Sequence, residues 1–302
     1  MKSVLVVYYS QTGQLKRVLD RVCEPLKDSN KYELDYYELE MENEYPFPWK
    51  KEEFFGVFPE SFKQLEQPFF PPKDSILNKK YDLIILGYQV WYLTPSIPIN
   101  SFLKSEIAQR LLCDTPIITI SGTRNMWVMA QEKVKELLIQ CKGKLVGNIA
   151  LVDRNVNLVS VVTIVDWMFT GLQRKLYGIF PKPGISPEEI EDSIRFGKTI
   201  QNHLDSGDYI ELQTNLVAQG AVEIRHFLVS MDKKANRLFS IWSNLILNSK
   251  AEKRSFLLKC FNVYLLVAIW LISPIVHLIH LITYPINYKK IRRDKTYFEG
   301  VK

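Results

Sequence analysis

Apolar runs and helically spaced stretches alternate along the first two hundred residues of the chain. Five runs rich in Val, Ile, Leu and Tyr read as strands: Ser3–Tyr9, Tyr32–Leu39, Tyr81–Gly87, Thr115–Gly122 and Leu145–Val152. Four of the five are continuous rather than alternating, the pattern of strands covered on both faces; Tyr32–Leu39 alternates. Helical spacing occupies Leu15–Leu26, Ile99–Leu112, Met126–Cys141 and Pro187–Leu204, the last after a Pro183-Gly184 turn. Strands alternating with helices predict an α/β fold, a parallel sheet with helices on both faces.

Two insertions break the alternation. Residues 45–72 are crowded with aromatics and prolines, among them Phe47, Trp49, Phe54, Phe55, Phe58 and Phe62. Such a segment is either a long loop packed over the core or a lid or acyl-chain wall beside a site. Residues 156–177 are apolar with little charge before Arg174. They read as a core helix, or as an interfacial helix or substrate wall. The alternation ends near residue 205. Residues 206–255 read as a helical extension, and 256–302 as an apolar membrane segment with a basic tail.

From Cys260 to Tyr288 there are 29 residues without Lys, Arg, Asp or Glu. About 20 apolar residues suffice to cross a bilayer. Ser273-Pro274 interrupts the stretch, however, and basic residues flank both ends, which favours keeping both ends in the cytoplasm. A kinked monotopic hairpin or re-entrant segment satisfies both features; a true span and a buried soluble helix are the alternatives. From Ala251 onward nine basic residues stand against three acidic ones, a balance of +6 that equals the formal charge of the whole chain. Charge concentrated beside apolar sequence points to membrane lipids rather than nucleic acid. No secretion signal opens the chain, so the expected location is the cytoplasmic side of the cell membrane. Cys23, Cys113, Cys141 and Cys260 show no paired spacing and read as reduced and structural, with no metal site. His277 and His280, one helical turn apart, read as interfacial histidines.

Three loops gather the candidate chemistry at the carboxyl ends of strands one, three and four, where a doubly wound sheet binds its ligand. The first is Ser10-Gln11-Thr12-Gly13-Gln14, a hydroxyl-bearing turn between a strand and a helix. It lacks the Gly-Lys-Ser/Thr of a Walker A loop and the three glycines of a dinucleotide fingerprint, so a single phosphate at the helix N-terminus fits it best. The second runs from Gly87 to Pro98 and the third from Ser121 to Trp127.

Together the three loops resemble those of flavodoxin-like FMN proteins, over roughly residues 2–204. The resemblance implies a five-stranded parallel sheet in the order 2-1-3-4-5 and FMN as cofactor. It implies that Ser10, Gln11, Thr12, Gly13 and Gln14 hold the phosphate. Val90, Trp91, Tyr92, Leu93 and Thr94 would border the isoalloxazine ring, and Gly122, Thr123 and Arg124 would close it, with Arg124 steadying negative charge near reduced flavin. Leu15 departs from the family pattern, which often has a hydroxyl there. A narrower resemblance links VLVVYYSQTGQ, PFPW, FFGVFPE and ISGTRNMW to bacterial proteins described as dialkylresorcinol condensing enzymes, of alkylresorcinol lipid and flexirubin-type pigment pathways. A condensing enzyme needs an activated cysteine beside histidine. None of the four cysteines sits in a glycine-rich elbow, and His203, His226, His277 and His280 lie outside the three loops.

The expected function is therefore a membrane-associated, FMN-dependent oxidoreductase using NAD(P)H or oxidising its substrate, a small apolar alkylated molecule such as a cyclohexanedione or quinone-like lipid. The alternatives are a membrane-tethered electron carrier and a flavin-free condensing or cyclising subunit. A homodimer is left open.

Overall fold

The computed structural model describes residues 1–301. The chain runs β1 (Lys2–Tyr8), α1 (Gln14–Val22), β2 (Tyr32–Glu38), α2 (Lys51–Gly56), α3 (Phe58–Phe62), α4 (Asp74–Leu77), β3 (Leu83–Trp91) and β4 (Thr94–Pro95). It continues through α5 (Ile97–Lys104), α6 (Glu106–Leu112), β5 (Pro116–Thr123), α7 (Val128–Gln140), β6 (Lys144–Val152), α8 (Asn157–Thr170), α9 (Pro187–Asp192) and α10 (Ile194–Ser206). It ends with α11 (Leu212–Ala218), α12 (His226–Leu247), α13 (Ala251–Val267) and α14 (Ser273–Glu299).

Five strands pair in parallel in the order β2-β1-β3-β5-β6, and the two-residue β4 pairs antiparallel with the end of β3. With β4 set aside, this is the flavodoxin-like order expected above. Alternate side chains feed opposite layers, as strand geometry requires. Val4, Val6, Leu83, Ile85, Ile118 and Ile120 pack under α1 and α10, while Leu5, Val7, Ile84, Leu86 and Ile117 face α5, α6 and α7. The register sets Tyr8 beside Gly87 and Gly87 beside Ile120, so the loops after β1, β3 and β5 emerge at one height. The order reverses between β1 and β3, which opens a crevice there.

Several elements differ from the sequence expectation. β3 runs on to Trp91, so the first half of the expected second loop is strand. The expected helix Ile99–Leu112 is two helices, because Ser105 is extended and its hydroxyl caps α6 through the Ala108 N–H. Pro187–Leu204 likewise divides into α9 and α10. The aromatic insertion is a pair of short helices, α2 and α3, rather than an irregular loop.

The expected break at Ser273-Pro274 is absent. A five-residue π-helical turn, Ala268–Ile272, directly precedes it, and α13, this turn and α14 form one 49-residue helical run. Proline cannot donate to the carbonyl one turn back and crowds it. A widened turn at that point accommodates both defects without a chain reversal, so the hairpin expectation is corrected to a continuous run.

The helical extension is built into the α/β body. Val222, Val229 and Phe298 join the core beneath the sheet. The α7 N-terminus has no cap of its own; the Met129 N–H donates to the Asp232 carboxylate of α12 at 3.0 Å, so the extension supplies the cap. Gln213 of α11 accepts from the Asn148 N–H of β6 and donates to the Glu299 carbonyl, pinning the end of α14 to the sheet edge.

Candidate functional site

A cavity of ≈ 260 Å³ opens in the crevice at the ends of β1, β3 and β5. Its polar end is built from the loop after β1. Gly13 has φ +74°, a conformation glycine adopts without strain, and this turns the chain into α1. The N-terminus of α1 therefore lies at the crevice end, where the half-buried Thr12 lines the cavity and its hydroxyl oxygen accepts from the Gln14 N–H at 3.4 Å. The Ser10 hydroxyl accepts from the Lys16 N–H, the Gln11 N–H donates to Gln89 Oε1 at 3.0 Å, and Gln11 Oε1 accepts from the Tyr9 hydroxyl.

The Gln11 side chain donates to the carbonyls of Tyr45 and Pro46, at 3.1 and 2.7 Å, and so fastens the loop to the aromatic insertion. Gln14 is buried and makes a closed pair with Ile185: its Nε2 donates to the Ile185 carbonyl and its Oε1 accepts from the Ile185 N–H, at 3.1 and 2.9 Å. Gly184, at φ +85°, lies against this amide; a Cβ there would stand 2.5 Å from Gln14 Oε1. Gln11 and Gln14 thus commit their side chains to holding the loop, whereas the Thr12 hydroxyl makes no such tie to another segment.

The second loop is a tight reversal. Trp91 pairs with Thr94, and the two residues between them, Tyr92 and Leu93, have φ of +50° and +64°. That is the geometry of a two-residue hairpin turn normally filled by Asn-Gly. Bulky side chains in this region cost about 1–3 kcal/mol each and persist only where packing dictates them. The packing is visible. The Tyr92 hydroxyl donates to the Phe54 carbonyl at 2.6 Å, Leu93 is buried among Phe58, Phe62 and Phe261, and the Thr94 hydroxyl donates to the carbonyls of Ser61 and Trp91. The turn holds Trp91 edge-on to Tyr45 and Trp49, with ring centroids 5.0 and 5.6 Å away.

On the third loop, Arg124 Nη1 donates to the Asn157 side-chain oxygen at 2.8 Å, and Asn125 donates to the same oxygen. Burial lowers the Arg124 guanidinium to about 10, with nearby Asp153 opposing the shift. It stays cationic at neutral pH and places one positive charge on the cavity wall.

The rest of the wall comes from the two insertions. Trp49, Phe54 and Val57 contribute from one, Ile164, Trp167 and Met168 from the other. The two are joined where the Trp49 N–H donates to the Met168 carbonyl at 2.8 Å and where Phe54 meets Phe169 edge-on. The indole N–H of Trp49, a residue only 4% exposed, has no acceptor among the described residues. Nor does any cysteine or histidine line the cavity. Burial pushes the Cys23 thiol up to about 12 and that of Cys141 to about 11.

The cavity brings together Gln11, Thr12, Gln14, Val90, Trp91, Tyr92, Gly122, Thr123 and Arg124 of the residues singled out from the sequence. Ser10, Gly13, Leu93 and Thr94 shape the loops from behind its lining. Sequence reasoning missed Gln89 as a bridge between loops, and named no individual wall residue of the insertions, although it marked both segments as wall material. Leu15, noted for its missing hydroxyl, is buried with its side chain against the cavity.

No protein-family model matches the sequence, and no curated protein matches it. Among solved structures, a flavoprotein in complex with FMN from Lactobacillus acidophilus NCFM is 17% identical, over 50% of this chain and 93% of its own, with a TM-score of 0.39. A flavodoxin from the domain Archaea and flavodoxin 1 from Bacillus cereus are each 11% identical, over 67% of this chain and 99% of their own, with TM-scores of 0.37. At these values the likenesses add nothing to the strand order itself, which is what identifies the architecture.

Proposed function

We propose that this chain is an FMN-dependent oxidoreductase attached to the cytoplasmic face of a membrane, acting on an apolar, alkylated ring compound. The observation that carries the reading is the two-ended cavity at the β1/β3 reversal. One end offers a hydroxyl and helix N-terminal N–H groups suited to a phosphate dianion. The other is an aromatic slot with an unsatisfied Trp49 indole donor, suited to a planar ring bearing carbonyl oxygens. FMN carries both features on one molecule, so the residues present fit it. Bound there, FMN would supply hydride and electron transfer.

The chain's own part is positioning. Thr12 and the α1 N-terminus would hold the phosphate, and Trp91 with Tyr92 would border the ring. The wall formed by Trp49, Phe54, Trp167 and Met168 would exclude water and take the alkyl part of the substrate. Arg124 would steady negative charge at the ring edge. The substrate class, a cyclohexanedione or quinone-like lipid of the dialkylresorcinol and flexirubin-type pathways, rests on the four short motifs named above. A condensing role is disfavoured by the lack of a thiol or imidazole in the cavity lining. Rapid mixing of the FMN-loaded full chain with NADH or NADPH tests the reading. Bleaching of the flavin at a saturable rate supports an oxidoreductase. Retained flavin that only a one-electron reductant bleaches would make the chain a carrier instead.

A further inference from the structure

The apolar stretch 260–288 has two unlike faces. Its inner stripe follows α12 for most of its length: Phe261 and Tyr264 meet Trp242, His277 meets Phe227 at 4.4 Å, and His280 stacks on His226 at 5.3 Å. Its outer stripe, Val263, Val267, Trp270, Leu271, Leu278 and Ile282, is 42–69% exposed. Intervals of three, four and seven (263/267, 267/270, 267/271, 271/278 and 278/282) keep the six on one side of a helix. Within the most apolar 18-residue window only 6% of residues are buried. Exposed apolar surface on this scale is uncommon on a free-standing soluble monomer.

Both ends of the stretch are fixed to the α/β body. At the first, Arg254 forms a charge-assisted pair with both carboxylate oxygens of Glu60, at 2.8 and 2.9 Å, and Phe261 stacks on Phe58 with centroids 3.7 Å apart. At the second, Phe298 is buried under the sheet and the Tyr297 hydroxyl donates to Glu132 at 2.7 Å. A bilayer crossing would put those ends on opposite sides. It would also draw α12, with Asp232, Lys233, Lys234 and Arg237, into hydrocarbon beside its partner, at a prohibitive cost. The outer stripe is bracketed by exposed cations: Lys253 and Lys259 before it, Lys289, Lys290, Arg292 and Arg293 after it. Apolar face and basic flanks together match an anionic lipid surface.

We infer that residues 260–288 lie in the plane of one leaflet of an anionic bilayer, outer stripe down, with the α/β body and the chain's basic end on the same side. The inference rests on the membrane attachment proposed above and is independent of flavin.

Two measurements on the full-length protein test it. The first is flotation with vesicles of phosphatidylcholine alone or mixed with phosphatidylglycerol. Flotation is expected on the mixed vesicles, weaker by at least about tenfold on neutral ones, and lost in the Leu271→Glu/Leu278→Glu variant at unchanged melting temperature. Equal flotation on both overturns the charge argument. No flotation, with self-association removed by the same variant, assigns the face to a second copy and overturns the attachment itself. The second measurement is labelling of right-side-out and inverted vesicles, from cells expressing Arg293→Cys, with an impermeant maleimide. Cys113, exposed on the body, and the thiol introduced at position 293 should react from the same side. Reaction from opposite sides shows a span and overturns the in-plane seat while leaving membrane attachment standing. The flavin spectrum is read separately, so its failure is not confused with either result.

Discussion

The two ends of the cavity are built by different means. The polar end, proposed above to take a phosphate, belongs to the sheet: its loop is held by hydrogen bonds from Gln11 to Gln89 and from Gln14 to Ile185, and its shape depends on glycine at positions 13 and 184. The apolar end belongs to segments inserted between the elements of that sheet, and it is held by ring contacts among Trp49, Phe54, Trp91 and Tyr92. Hydrogen bonds are directional and fix a single geometry, whereas apolar contact is summed area. The first kind of construction suits a constant cofactor and the second a greasy substrate. Substitutions should therefore separate the two ends.

The largest effect is expected from Thr12→Trp. A bulky ring in the phosphate turn should lower FMN affinity at least about a hundredfold, read by fluorescence titration, while leaving thermal stability within about 0.5 kcal/mol, as for other surface sites. At the opposite end, Phe54→Ala removes edge-on contacts with Trp49, Phe55 and Phe169. Loss of part of the apolar wall should raise KM for an alkylated quinone about tenfold, with FMN affinity little changed. If both constants moved together, the ends would not be separable. Gln14→Ala strands the buried Ile185 N–H and should cost about 1–3 kcal/mol in chemical denaturation.

The smallest effect concerns the tie between the body and the extension. Burial raises the Asp232 carboxyl to about 7, against the pull of the Met129 N–H. The folded chain then keeps a proton that the unfolded chain releases above about pH 4. Stability from this group should fall as pH rises from about 4 to about 7. In Asp232→Asn that slope should vanish while an acceptor for Met129 remains, as unfolding at several pH values would show.

Much of this was legible in the chain. Continuous β-branched runs located the strands because a sheet covered on both faces tolerates little else. The loop after β1 was readable because strand, hydroxyl turn and helix are contiguous. What escaped reading was long-range. Tyr92 and Leu93 carry no local turn signal, since bulky residues oppose the conformation they adopt; only packing against Phe54, Phe58 and Phe261 enforces it. The Asp232 cap joins residues 103 positions apart. Gln89 serves as an inter-loop bridge only because the register of β1 and β3 places it beside Gln11. Pro274 misled because the π-helical turn that absorbs it has no clear sequence mark.

The absorption spectrum of the detergent-purified, full-length protein, with its released chromophore identified, tests the central claim most directly. The account predicts flavin bands near one FMN per chain, present at purification or after reconstitution, and lost in Thr12→Trp. A colourless wild-type protein that takes up no FMN would contradict it and leave the crevice as a site for another phosphate-bearing ring compound.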